Sequence, residues 1–374
     1  MTNLPTKKLG EVAEVIMGQS PPSSSYNERG EGLPFFQGKA EFGEIYPTPV
    51  KYCSSPSRIA EANDVLMSVR APVGNINLAK EKSCVGRGLG ALRAKKNILN
   101  QMFLFYFMKK NENNWARLST GSTFSAIRGS SLKNFEIPLP PLKIQKQIVE
   151  RLDKIVEAQK LNDGLIQKTE ELFQSLLHKE LNPADKDWEI KKLGSVFDRI
   201  TDAILPTKHP EQKFNFIGLE NIESNTSRLV NISPVQGKFI KSTKTRFKIG
   251  DILYGKLRPY LNKVWLADFD GICSTDIWAL RAKEGIIFPQ LLGAILQQSS
   301  IVQKSSASMA GANLPRANKD IFDKITIVLP PLKTQKQIVA KLSAVQDYKK
   351  QLLEQKSKLK ELFNSALVKS MSNK

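Results

Sequence analysis

Two histidines and three cysteines in 374 residues leave little with which to hold a metal or a disulfide. Cys53, Cys84 and Cys273 are scattered without Cys-x-x-Cys spacing, so they read as reduced structural thiols. His178 and His209 form no ligand pattern. No apolar run approaches the roughly 18 residues of a spanning helix, and the N-terminus lacks a signal peptide's apolar core, so a cytoplasmic location is expected. A Gly-x-x-x-x-Gly-Lys-Ser/Thr loop is missing, which argues against ATP hydrolysis. Ser20-Pro-Pro-Ser23 comes near a methyltransferase tetrapeptide but lacks the aromatic that would stack on an extruded base. Gly86-Arg-Gly-Leu-Gly90 is a lone glycine cluster of the kind that marks a turn. No catalytic, cofactor-binding or metal-ligating residue is therefore assigned to this chain. Acidic residues are also scarce, 36 against 56 Lys and Arg, for a net charge of +20. A polyanionic partner follows, and the spread of basic residues from Lys7 to Lys369 suggests a broad nucleic-acid-binding surface rather than a charged tail or a membrane anchor.

What the chain does have, it has twice. Leu139-Pro-Pro-Leu-Lys-Ile-Gln-Lys-Gln-Ile-Val-Glu-Arg-Leu152 matches the segment Leu329–Leu342 at eleven of fourteen positions. Glu171-Leu-Phe-Gln-Ser175 and Glu361-Leu-Phe-Asn-Ser365 match at the same offset of 190, so the intervening lengths are equal. Weaker echoes precede each copy: Lys7-Lys-Leu-Gly10 against Lys191-Lys-Leu-Gly194, and Asp64-Val-Leu66 against Asp251-Ile-Leu253. Two variable domains, 1–140 and 183–330, thus alternate with two constant segments, 141–182 and 331–374.

Each constant segment opens on Pro-Pro, which suits a first helical turn and stops the helix extending backwards. Strong helix formers follow, with Gly164 the one weak point. A helix over 142–181 would run about 57 Å at 1.5 Å per residue. Ile148, Leu152, Ile155, Ile166, Phe173 and Leu176 follow a coiled-coil spacing, as do Ile338, Leu342, Val345, Leu352, Leu359 and Phe363. Gln159, Asn162, Lys349 and Lys356 make the middle of that stripe polar, so each helix needs a partner; packing on a globular core is the alternative. If the ends of the second domain lie close together, the helices pair antiparallel.

The variable domains show short alternating runs between Gly, Pro and Ser, with apolar helices expected at 100–108 and 288–296. The fold class is α+β: two mixed α/β domains separated by two long helices in an antiparallel coiled coil, with a pseudo-twofold internal repeat. Arg, Asn and Gln suit base edges, and Lys, Ser and Thr suit phosphates. On that basis the candidate DNA-binding residues are Gln37, Lys39, Arg70, Arg87, Thr123 and Arg128 in the first domain. In the second they are Asn221, Lys256, Arg258, Lys263, Ser274, Thr275, Asn313 and Arg316. Asp64 and Asp251 are expected to serve turns.

The Pro138-Leu-Pro-Pro-Leu142 helix entry, its counterpart at 329, Gln145-Lys-Gln-Ile148 and Gln335-Lys-Gln-Ile338 resemble the specificity subunits of type I restriction-modification enzymes. So does Gly250-Asp-Ile-Leu-Tyr-Gly-Lys-Leu-Arg-Pro-Tyr-Leu261 with Ser274-Thr-Asp276, which is similar to a target-recognition-domain signature. The resemblance implies a non-catalytic, DNA-binding subunit in which each domain recognises half of a bipartite double-stranded site and the helices set the spacer. It implies two methylation subunits docked on the helices, with S-adenosylmethionine bound in those partners, and restriction subunits that join for cleavage. Ser68-Val-Arg-Ala-Pro72 departs from the second domain's Gly255-Lys-Leu-Arg-Pro259. A standalone DNA-modifying methyltransferase and a non-enzymatic coiled-coil scaffold are the alternatives.

Overall fold

The run Val65-Leu-Met-Ser68 shows no alternation of apolar and polar residues, and the computed structural model, which describes residues 5–115, 126–182, 187–309 and 314–371, shows why. The run is a strand, β7, with a core on each face. Val65 and Met67 join a cluster with Leu92, Phe103 and Leu104, whereas Leu66 joins Phe36, Ala60 and Val85. Successive side chains point to opposite faces, so a strand buried on both sides is apolar throughout.

The chain divides into two units, Met1–Asp163 with Glu354–Lys374, and Gly164–Leu353. In the first, β7 (Val65–Ser68) lies in a four-stranded antiparallel sheet ordered β2 (Ala13–Met17), β10 (Leu89–Ala94), β7, β8 (Ile76–Leu78). A five-stranded sheet runs β3 (Tyr26–Asn27), β5 (Lys51–Cys53), β4 (Leu33–Phe36), β9 (Ser83–Val85), β6 (Ile59–Ala60), with β4 and β9 parallel. β1 (Thr6–Lys8) pairs with β11 (Glu136–Pro138). The helices are α1 (Leu9–Val12), α2 (Gln101–Lys110), α3 (Glu112–Trp115) and α4 (Gly129–Asn134). α2 starts at Asn100, whose side chain accepts a hydrogen bond from the Phe103 N–H, and buries Phe103 to Met108. That aromatic run is therefore core.

The second unit repeats this plan. β12 (Glu189–Lys192) pairs with β23 (Thr326–Leu329). A four-stranded sheet is ordered β13 (Phe197–Arg199), β22 (Ile277–Ala282), β19 (Ile252–Gly255), β20 (Val264–Leu266). Another is ordered β14 (Ala203–Ile204), β18 (Lys244–Phe247), β21 (Gly271–Cys273), β16 (Phe216–Ile217), with β16 and β21 parallel. β15 (Lys213–Phe214) pairs with β17 (Val235–Gln236). Strand β19 again separates two cores, with Ile252 and Tyr254 on one side and Leu253 on the other. The helices are α6 (Pro289–Leu296), α7 (Ser299–Ala307) and α8 (Lys319–Lys324).

The constant segments are helices α5 (Leu142–Glu180) and α9 (Leu332–Met371), each starting one residue after its Pro-Pro pair. In the first unit, Leu152 and Ile155 of α5 share a core with Ala366, Leu367 and Met371 of α9. Gln159 donates to the Leu359 carbonyl and Asp163 pairs with Lys356, so the two segments run in opposite directions. In the second unit, Phe173 and Leu177 join Ile338 and Leu342, while Glu170 pairs with Lys349 and Glu180 with Lys341, again in opposing directions. The stripe is apolar toward the ends of both helices, and between them Asn162, Thr169 and Leu352 are also buried. A β-carbon at Gly164 would meet open space, and the glycine does not interrupt α5.

The repeated glutamine of the helix entries ties each helix to its unit. Gln145 is fully buried; its side-chain oxygen accepts from the Asn100 N–H at 2.7 Å and its amide donates to the carbonyls of Ile98 and Pro140. Gln335 makes the equivalent bonds to the Phe288 N–H and to the carbonyls of Ile286 and Pro330. Truncating either one strands buried backbone groups. Gln145→Ala and Gln335→Ala are each expected to cost about 1–3 kcal/mol, read as a lower denaturation midpoint. A loss below about 0.5 kcal/mol in both would show the bonds to be incidental.

Candidate nucleic-acid interface

In the first unit the backbone gathers one rim from four segments distant in sequence. Parallel pairing of β4 with β9 brings the loop after Phe36 beside the loop after Val85, and the Gly86 N–H donates to the Phe36 carbonyl. A β-carbon at Gly88 would sit 2.1 Å from the Gln37 carbonyl oxygen, so this approach requires glycine. The Val69 N–H donates to the Gly88 carbonyl and the Ile127 N–H to the Val69 carbonyl, while Arg70 bridges to Ala126. Gln37, Arg70, Arg87 and Arg128 are thereby brought together, all exposed. Among the described residues their side chains form no ion pair. Lys39 is exposed in a short 3-10 turn next to Gln37.

The second unit builds its rim with the same backbone bonds. The Ser274 N–H donates to the Ile217 carbonyl, Lys256 N–H to Asp276, Ala317 N–H to Lys256, and Leu257 bridges to Arg316. Arg258, Lys256, Ser274, Thr275 and Arg316 come together here. Arg258 is exposed in the left-handed region at φ 51°, a conformation rarely adopted by a non-glycine residue. Arg316 is half-exposed and donates twice to Asp276 Oδ1, at 3.0 and 2.9 Å. Trp278 is flanked by cations, with the Arg199 guanidinium 4.5 Å and the Lys256 ammonium 5.8 Å from its ring centroid. Burial lowers the Lys256 pKa from the ordinary lysine value; Asp276 opposes that shift, and Arg316 and Arg199 add to it.

Two candidates are committed elsewhere. Asn221 accepts from the Gly218 N–H and donates to the carbonyls of Val230 and Asn231, so it braces a turn, as Glu41 does for Gly38 in the first unit. Lys263 donates to the Leu219 carbonyl at 2.6 Å. Thr123 and Asn313 lie outside the described residues.

Asp64 and Asp251 do serve turns, accepting from the N–H groups of Glu61 and Lys248. Each also takes a forked pair from an arginine on the neighbouring strand, Arg93 and Arg281. Neither arginine was among the expected functional groups, although Ala91-Leu-Arg-Ala-Lys95 and Ala279-Leu-Arg-Ala-Lys283 are a further repeat that marks them. A third clasp, Arg199 with Asp323 at 2.7 and 2.6 Å, occurs in the second unit. Among the described residues no group of His, Cys, Asp and Glu is arranged to hold a metal, and no helix is long and apolar enough to cross a membrane.

Comparison with known proteins gives the same assignment for both units. The chain is 45% identical over 167 residues to a Methanocaldococcus jannaschii protein named as the MjaX specificity subunit of a type I restriction enzyme, a match covering 44% of this chain but only 39% of the relative. It is 24% identical to the EcoDI specificity subunit of Escherichia coli, over 92% of this chain and 81% of the relative. Among solved structures, the type I restriction-modification S subunit from M. genitalium shares the fold, with a TM-score of 0.61 over 99% of this chain and 96% of its own, at 16% identity. The profile of the type I restriction modification DNA specificity domain matches residues 1–171 and again 185–361. The chain therefore belongs to the type I restriction modification DNA specificity domain family.

Proposed function

We propose that this chain is the DNA-reading component of a type I restriction-modification assembly, each unit taking one half of a bipartite site. The observation that carries this reading is the recurrence of one strand frame with two different rims. The bonds from Val69, Gly88 and Ile127 recur at Lys256, Asp276 and Ala317, while the exposed side chains they present differ. A shared frame with unlike edges suits the reading of two unlike sequences. The reading edge comprises Gln37, Arg70, Arg87 and Arg128 in one unit and Lys256, Arg258, Thr275 and Arg316 in the other, with Lys39 and Ser274 toward phosphates. Asn221 and Lys263 shape the second edge from behind.

The same reading takes α5 and α9 as an antiparallel coiled coil that relates the units by a pseudo-twofold and sets the spacer. The domain limits follow the sequence repeat: 1–140, 141–182, 183–330 and 331–374. Methyl transfer belongs to partner methylation subunits that bind S-adenosylmethionine and dock on the helices, and cleavage to restriction subunits.

Binding of the full chain to a randomised duplex library is the test. A selected motif with two fixed blocks and an unread gap is expected. Arg70→Ala, Arg87→Ala and Arg128→Ala should relax one block, at about 1–3 kcal/mol for each lost base contact, whereas Lys39→Ala should weaken binding to all sequences and lower the salt slope by about one. A library recovered without sequence preference would favour a scaffold instead. Methyl transfer by the purified chain alone would favour a standalone enzyme.

A further inference from the structure

We infer that Arg316, held by Asp276, reads a guanine in the half-site taken by the second unit. The inference rests on the DNA-reading role proposed above and adds a base and a positioning residue. Asp276 Oδ1 receives both Nε and Nη2 of Arg316, so the carboxylate grips the side edge of the guanidinium. The end-on edge stays available, because the remaining bond, Nη1 to the Leu314 carbonyl, is stretched to 3.5 Å. Guanine presents O6 and N7 side by side in the major groove, and two parallel N–H donors from a guanidinium match them. A guanidinium already fixed along one edge offers that fork in a set direction and loses less side-chain freedom on binding.

The carboxylate argues against a plain phosphate contact. A backbone phosphate gains most from an uncompensated cation, whereas Arg316 carries an opposite charge at 2.9 Å. For a neutral base edge, orientation matters more than net charge. On the shared frame the described residues of the first unit offer no such pair: Ala126 stands where Arg316 stands, and Gly88 where Asp276 stands. The Arg70–Ala126 and Leu257–Arg316 bridges, together with the bonds from Val69 to Gly88 and from Lys256 to Asp276, establish that correspondence. The guanine must therefore belong to one half-site only.

The full chain and its Arg316→Ala, Arg316→Lys and Asp276→Ala variants are each used to select duplexes from a randomised library. Wild type is expected to prefer guanine at one position of one block by roughly 10- to 100-fold, the range of a bidentate pair. Arg316→Ala and Arg316→Lys should both bring that position to within about threefold of indifference, with the other block unchanged. Retention of the other block certifies that the variants fold. Asp276→Ala should weaken the guanine preference about fivefold without abolishing it. Recovery of full discrimination by the lysine variant would identify a charge contact and overturn the inference. So would survival of every preference in Arg316→Ala, or loss at a position that is not guanine. If wild type itself selects no motif, the DNA-reading role fails first, and that outcome is distinct from the others.

Discussion

Excising residues 162–168 of α5 together with 351–357 of α9 is expected to shorten the gap between the two selected blocks while leaving both blocks intact. The two segments face each other, as the Asp163–Lys356 pair and the Gln159–Leu359 bond on its flank establish. Seven residues are close to two helical turns, so Gln159 is followed by Thr169 on the same stripe, and Lys349 by Leu359. The lost length is about 10.5 Å, which corresponds to roughly three base pairs at 3.4 Å each. Affinity for the original site should fall by about a thousandfold or more, toward non-specific binding, because both edges no longer reach their blocks together. Selection from the randomised library reads the new gap directly. An unchanged gap with both blocks retained would end the idea that the helices measure DNA. Excising only one of the two segments breaks their opposed register and should lower stability instead.

Arg281→Ala should be among the most destabilising single changes in the second unit, and more damaging than Asp251→Asn. The two partners of this clasp differ in exposure: the Asp251 side chain is 1% exposed and that of Arg281 46%. Removing the arginine leaves a buried carboxylate with the Lys248 N–H as its remaining donor, at a cost of about 3 kcal/mol. Neutralising the aspartate keeps a polar group for that N–H and lets the guanidinium turn to water, for about 1 kcal/mol. Arg93 and Asp64, exposed 36% and 3%, should behave alike in the first unit. Denaturant titration of the four variants checks the order, and equal losses for arginine and aspartate would show that burial asymmetry does not govern the pair.

The sequence made some of this legible and hid the rest for physical reasons. Both long helices could be placed from Pro140-Pro141 and Pro330-Pro331, because a proline start and a long run of helix formers need no tertiary context. Reading Asp64–Val69 as a short alternating run finds the strand Val65–Ser68 but misses that both of its faces are buried. The parallel pairing of β4 with β9 could not, since strands of three or four residues carry little pattern, and it is this pairing that brings Gln37 to Arg87. Asn221 and Lys263 illustrate the opposite limit. Their types suit DNA, but the Lys263 ammonium meets a carbonyl 44 positions away, and composition carries no trace of that contact. Gln145 and Gln335 were visible as a repeat, yet their role emerged only when both side chains were seen bonded to the loops that precede α2 and α6.

The frame bonds that build each rim run between backbone groups, with the side chains at the edge turned outward. Replacing Gln37, Arg87 or Thr275 thus disturbs little that the fold relies on, and surface changes of this kind usually move stability by less than about 0.5 kcal/mol. If the proposed DNA-reading role holds, target preference can therefore wander by single steps while the architecture stays put, and one half of the recognised word can be rewritten without touching the other.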